Sequence, residues 1–158
     1  MKTLDFIGLN ASGANKVVES LGKLLADYQV FYTNLRGFHW LIEGPDFFVL
    51  HAKFEDLYNN AAGKVDEIAE RMLALGGKPA NTFSSYLKTA SVKEVTEVTN
   101  GREALKNILE TYGYLIGEER KVLSLASDNN DEGTVALMSD YIREQEKLVW
   151  MLVAYETR

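Results

Sequence analysis

The sequence predicts an all-α fold: a four-helix bundle in which one long crossover carries a short extra helix. Three observations predict it. Apolar residues recur every three or four positions along four long stretches. Nothing reads as a strand-turn-strand repeat, and both prolines, Pro45 and Pro79, fall between the stretches. The link over about 76–100 is too long for a tight antiparallel turn, whereas the other links are short.

The first helix is expected from about Ser12 to Phe38, with Val17, Leu21, Leu24, Tyr28, Phe31, Leu35 and Phe38 on its apolar face. The second spans about 46–75, opened after Gly44-Pro45 by Asp46 as N-cap. Leu50, Phe54, Leu57, Ala61, Val65, Ile68, Met72 and Leu75 carry its stripe, and Gly76-Gly77 with Pro79 end it. Ser91 followed by Glu94 is a capping-box pattern for a short helix over about 91–98. Asn100 with Glu103 caps a third long helix to about 127, Asp128-Asn129-Asn130-Asp131 is a turn, and a fourth helix covers about 132–155.

The 158 residues suit one domain, 1–158, with 46% hydrophobic and 25% charged residues. The absence of cysteine excludes disulfides, iron–sulfur clusters and thiolate zinc sites, so any metal must take nitrogen and oxygen ligands. The start, MKTLDFIGLN, lacks the n- and h-regions of a signal peptide, and no stretch is apolar enough to span a membrane; the cytoplasm is the expected compartment. The net charge is −6 and no segment is strongly basic, which argues against nucleic acid as an obligatory partner and suits the collection of cations.

The only two histidines, His39 and His51, flank the first interhelical turn. Antiparallel neighbours would bring them to the same end of the bundle. They are either two unrelated polar residues near a loop or ligands for iron or zinc. Glu55 lies four residues after His51, and Asp66 and Glu70 form a second i,i+4 pair. Lys64 and Arg71 nearby also fit a solvated acidic face there.

Geometry narrows these options. His51 and Asp66 lie roughly 22 Å apart along one helix at 1.5 Å per residue, so they cannot bind one ion within one chain. No Glu-x-x-His motif occurs either: Arg36 and Phe48 stand three residues before the histidines. Two copies of the second helix, packed antiparallel across an axis near residue 60, would bring His51 of one chain to Asp66 and Glu70 of the other. Ala61, Ala62 and Gly63 at the midpoint are small enough for close approach. Such a mix of imidazole and carboxylate suits iron, with zinc or manganese as competitors.

The run Asn34-Leu-Arg-Gly-Phe-His39-Trp40, with Gly44-Pro45, Phe48, Leu50-His51, Phe54-Glu55, Tyr58 and Asp66-Glu-Ile-Ala-Glu70-Arg71, resembles the Dps family, small dodecameric relatives of ferritin. One long crossover in a four-helix bundle is also the ferritin-like connectivity. The resemblance implies a ferroxidase that oxidises ferrous iron with hydrogen peroxide, stores ferric mineral in a hollow homododecamer and protects against oxidative stress. It implies His39, His51 and Glu55 from one subunit, and Asp66 and Glu70 from its two-fold mate. Many members have Asp where this chain has Glu55. Trp40 resembles a family tryptophan that intercepts radicals, and could equally be packing at a helix end. Acidic pores admit iron in the family, making Asp128, Asp131 and Glu132 candidates by location. Some members compact DNA through a Lys-rich tail. Here residues 1–15 hold only Lys2 against Asp5, so DNA binding is expected to be weak at most and remains the alternative function.

Overall fold

The computed structural model describes residues 1–157. Among them are six helices and no strand: α1 (Leu4–Ile7), α2 (Ala11–Leu41), α3 (Phe47–Ala74), α4 (Phe83–Thr89), α5 (Gly101–Asp128) and α6 (Glu132–Glu156). α2 pairs with α3, and α5 with α6. The long crossover joins these two hairpins, and α2 also packs on α5. The core lies along the expected stripes: Val17, Leu21, Leu24, Tyr28, Phe31 and Leu35 of α2 meet Phe54, Leu57, Ile68 and Met72 of α3.

Helix boundaries follow from local hydrogen bonds. The Asn10 side chain accepts from the amides of Ser12 and Gly13, and Asn100 does the same for Arg102 and Glu103. Asp46 takes the N-cap position of α3 without a side-chain cap bond. Gly76, at φ 81°, ends that helix in the left-handed conformation that glycine adopts without strain.

The crossover corrects the expected helix over 91–98. The short helix lies earlier, at Phe83–Thr89, opened by Thr82, whose hydroxyl accepts from the Ser85 amide. Residues 91–98 are not helical. The reason is tertiary. Buried Asp27 on α2 accepts from the amides of Ser91 (2.7 Å) and Val92 (2.9 Å). Buried Asn34 accepts from the Val95 amide and donates to the Lys93 carbonyl. The Val95 amide and the Lys93 carbonyl, which a helix would pair internally, are held by α2 instead.

The turn after α5 also differs from expectation at one residue. Asp131 is 2% exposed, caps α6 through the Thr134 amide and forms an ion pair with Arg71 of α3. It is therefore a buried bracket between α3 and α6. Asp128 and Glu132 remain exposed.

Candidate metal centre

His39 sits in the last turn of α2 and His51 in the second turn of α3. The last carbonyls of a helix have no partner within it. Here one of them, His39 O, accepts a hydrogen bond from His51 Nδ1 at 2.8 Å. The arrangement is reciprocal, because His39 Nδ1 donates to His51 O at 2.7 Å. A carbonyl oxygen can only accept, so both Nδ1 atoms carry hydrogen. A ring with hydrogen on Nδ1 alone carries its lone pair on Nε2.

The packing fixes the planes of these rings. They stack with centroids 3.8 Å apart and 18° between planes. Phe47 stacks on His51 at 4.8 Å, and Tyr58 meets His39 edge-on at 5.3 Å. Phe47 carries no ligand chemistry and no motif marks it, while Tyr58 stands in the family-like run of the sequence without an assigned role. Tyr58 could have been found from its spacing, seven residues after His51 on the same side of α3. Trp40 projects from the end of α2, 62% exposed, with the Arg36 guanidinium 4.6 Å from its ring centre.

Glu55, Asp66 and Glu70 are exposed on α3, and among the described residues none makes an ion pair or side-chain hydrogen bond. The cations beside them in sequence turn elsewhere, Lys53 to Asp56. Lys64, 4% exposed, binds Glu144 and Asn60; Arg71 binds Asp131 and Thr134. Within one subunit Asp66 and Glu70 thus lie on a solvated acidic face, the other arrangement the sequence allows, with neither Lys64 nor Arg71 as partner.

Among the described residues of one subunit, no three His, Asp or Glu side chains come together closely enough to hold a metal ion. The histidines meet; the three carboxylates do not join them. Yet at 100° per residue, His51, Glu55, Asn59, Ala62, Asp66 and Glu70 fall within an arc of about 100° along α3. These residues are arranged evenly about the point between residues 60 and 61: His51 corresponds to Glu70, Glu55 to Asp66, Asn59 to Ala62 and Phe48 to Leu73. Phe48 and Leu73, at the two ends, are 85% and 52% exposed. Of the three small residues expected at the midpoint, Ala61 is 2% exposed and belongs to the core stripe with Phe54 and Ile68, whereas Gly63 is open to solvent. A Cβ added at Gly63 would meet nothing within 4 Å in one subunit.

Two helical hairpins joined by a long crossover, with paired imidazoles at the first turn and carboxylates along α3, define a ferritin-like protein. A family model described as a ferritin-like domain matches residues 18–157. The chain is 50% identical over 157 residues to the "DNA protection during starvation protein" of Porphyromonas gingivalis, covering 99% of each sequence. It superposes on the crystal structure of a Dps protein from Vibrio cholerae O1 with TM-score 0.93 and 51% identity, over 95% of this chain and 94% of that one. That structure is described as a member of a broad superfamily of ferritin-like diiron-carboxylate proteins. Dps from Listeria innocua soaked with zinc is 30% identical with TM-score 0.85, over 88% of this chain and 94% of that one. The chain belongs to the Dps family.

Proposed function

We propose that this protein oxidises ferrous iron at centres shared between two subunits and stores the ferric product inside a shell of twelve copies. The observation that carries the reading is the α3 stripe with its symmetric spacing. An antiparallel partner helix about the same midpoint would bring its Glu70 and Asp66 level with His51 and Glu55. Each of two equivalent sites would then hold the Nε2 atoms of His39 and His51, with Glu55, from one chain and Asp66 and Glu70 from its mate. Nitrogen and oxygen donors in this proportion suit ferrous iron, and zinc and manganese would compete for them.

The chemistry needs two electrons. Two ferrous ions give up one each, and hydrogen peroxide accepts both with two protons to leave two water molecules. No hydroxyl radical is released in this stoichiometry. The imidazoles, already fixed as Nδ1–H tautomers, need not exchange protons before binding iron. Glu55 serves the second, weaker position. We assign Trp40, exposed, next to His39 in sequence and with Arg36 over its ring, to the capture of stray oxidising equivalents. Among the described residues no helix is long and apolar enough to cross a membrane, and the cytoplasm is the expected setting.

Anaerobic ferrous loading followed by peroxide tests the reading, with light scattering on the same sample. Iron oxidation near two ions per peroxide, by a particle of about 210 kDa formed from twelve 17.7 kDa chains, is expected. A stable monomer, or no oxidation above the protein-free rate, would overturn it. DNA compaction is the second reading, and residues 1–15 offer it only Lys2 beside Asp5. A gel shift that survives ~200 mM salt would favour it.

A further inference from the structure

The bundle centre holds another set of polar side chains, on which the proposed iron chemistry does not depend. Tyr28 of α2, Glu119 of α5 and Gln145 of α6 are each at most 1% exposed. Tyr28 donates its hydroxyl hydrogen to Glu119 Oε1 at 2.6 Å. Gln145 Nε2 donates to the same oxygen at 2.7 Å and also lies 2.7 Å from the Tyr28 hydroxyl. Glu119 Oε2 and Gln145 Oε1 are then left as buried oxygens without a donor. Two orphaned acceptors on touching side chains are a rare arrangement in a native core. Turning the Gln145 amide over does not help, since it would set a carbonyl oxygen against Glu119 Oε1.

We propose that Glu119 and Gln145 form a buried proton site, in which a hydrogen on Glu119 Oε2 is donated to Gln145 Oε1 and closes a carboxylic acid–amide ring. One hydrogen satisfies both orphans at once. A metal ion is a poorer occupant: it would require more oxygen donors than this pair supplies, and it would face the Lys64 ammonium.

The surroundings agree. Burial pushes the Glu119 carboxyl up from 4.5 to about 7. The Tyr28 and Gln145 hydrogen bonds and the Lys64 charge on α3 oppose this, while Glu144 on α6 adds to it. Lys64 is itself held by Glu144 and Asn60, with its ammonium 4.8 Å from the centre of the Tyr141 ring. Tyr112 on α5, Tyr141 on α6 and Glu67 on α3, bonded to Tyr141, complete the titratable groups around the site. The tyrosines are raised further by burial and stay neutral where Glu119 titrates. Glu119, and not the buried tyrosines, thus changes charge near neutral pH. Its ionisation places an anion in the middle of the four helices.

Infrared difference spectroscopy on the intact assembled protein tests this. Expected is a carboxylic acid C=O band at pH 5.5 that shifts with 13C-glutamate labelling, disappears with a midpoint near 7, and is absent from E119Q. E119Q supplies a permanent N–H to Gln145 Oε1, so its melting temperature should stay flat between pH 5 and 8 where the wild type's falls. The labelled wild-type band decides the matter even if E119Q does not fold. No such titrating band, equal pH dependence in both proteins, or a melting temperature at pH 8 set by sodium against potassium would each overturn the proposal.

Discussion

A His51→Ala chain and an Asp66→Ala chain, each deficient in ferrous oxidation alone, should regain activity when they assemble together. Either change alone strikes every site, because symmetry repeats it. Each should slow peroxide-driven oxidation at least about tenfold, the range that even indirect partners of a metal ligand produce. The separation along α3 sets the recovery. His51 and Asp66 lie roughly 22 Å apart, too far to serve one ion from one chain. In a mixed pair one site therefore collects both lesions and its twin collects neither. Random mixing makes about half of all pairs mixed, so about a quarter of the sites are intact; enforced heterodimeric pairs raise this to about half. The assay is the stopped-flow rate of ferrous oxidation after peroxide addition, with shell assembly confirmed by light scattering. Zero recovery in assembled mixtures would refute the shared-site argument, since an intrachain centre leaves no intact site in any mixture.

Other outcomes follow from single features. Glu55→Ala should slow oxidation less than His39→Ala or Glu70→Ala, measured in the same stopped-flow assay. Asp27→Ala removes the acceptor for Ser91 N, Val92 N and the Tyr114 hydroxyl, so stability should drop by about 3 kcal/mol in urea unfolding, with faster hydrogen exchange at residues 91 and 92. Phe54→Ala opens a hole beside Phe38 in the core and should lower stability by about 3–5 kcal/mol in the same assay. Glu119 gives a pH dependence with a definite sign. Its carboxyl binds a proton more tightly in the folded chain, about 7 against 4.5, so stability should decline as pH rises between those values and level off above them. The full effect is about 3 kcal/mol, visible as the difference between wild type and E119Q in denaturant titrations.

α2 and α3 were legible because their stripes are the core itself, with Val17, Leu21, Phe54 and Ile68 all buried as spaced, and α5 and α6 because the Asn100 cap and the turn before Glu132 mark where they begin. The short helix was not, because Asp27 and Asn34 lie about 60 positions away from the backbone they capture, and no local pattern announces such a partner. At the candidate centre, residue type and spacing indicated the two histidines and the carboxylates on one side of α3. Ring orientation was invisible, since it depends on which carbonyl lies within reach across the turn. Glu119 reads as one of four consecutive charged residues, 118–121, although its spacing from Tyr112, Leu115, Val122 and Ala126 sets it on the buried stripe of α5.

The crossed bonds between His39 and His51 make the first turn of the bundle a shared thermodynamic element. Opening the turn would free both Nδ1 hydrogens, let each ring change tautomer and rotate, and scatter the Nε2 lone pairs. A ligand that requires both lone pairs in register must therefore hold the turn shut, and tightening the turn must strengthen that ligand by the same amount. Metal loading should accordingly suppress local opening at residues 39–51 before it changes global stability. A substitution that loosens this turn, even one remote from any ligand atom, would weaken metal uptake while leaving the donor set intact.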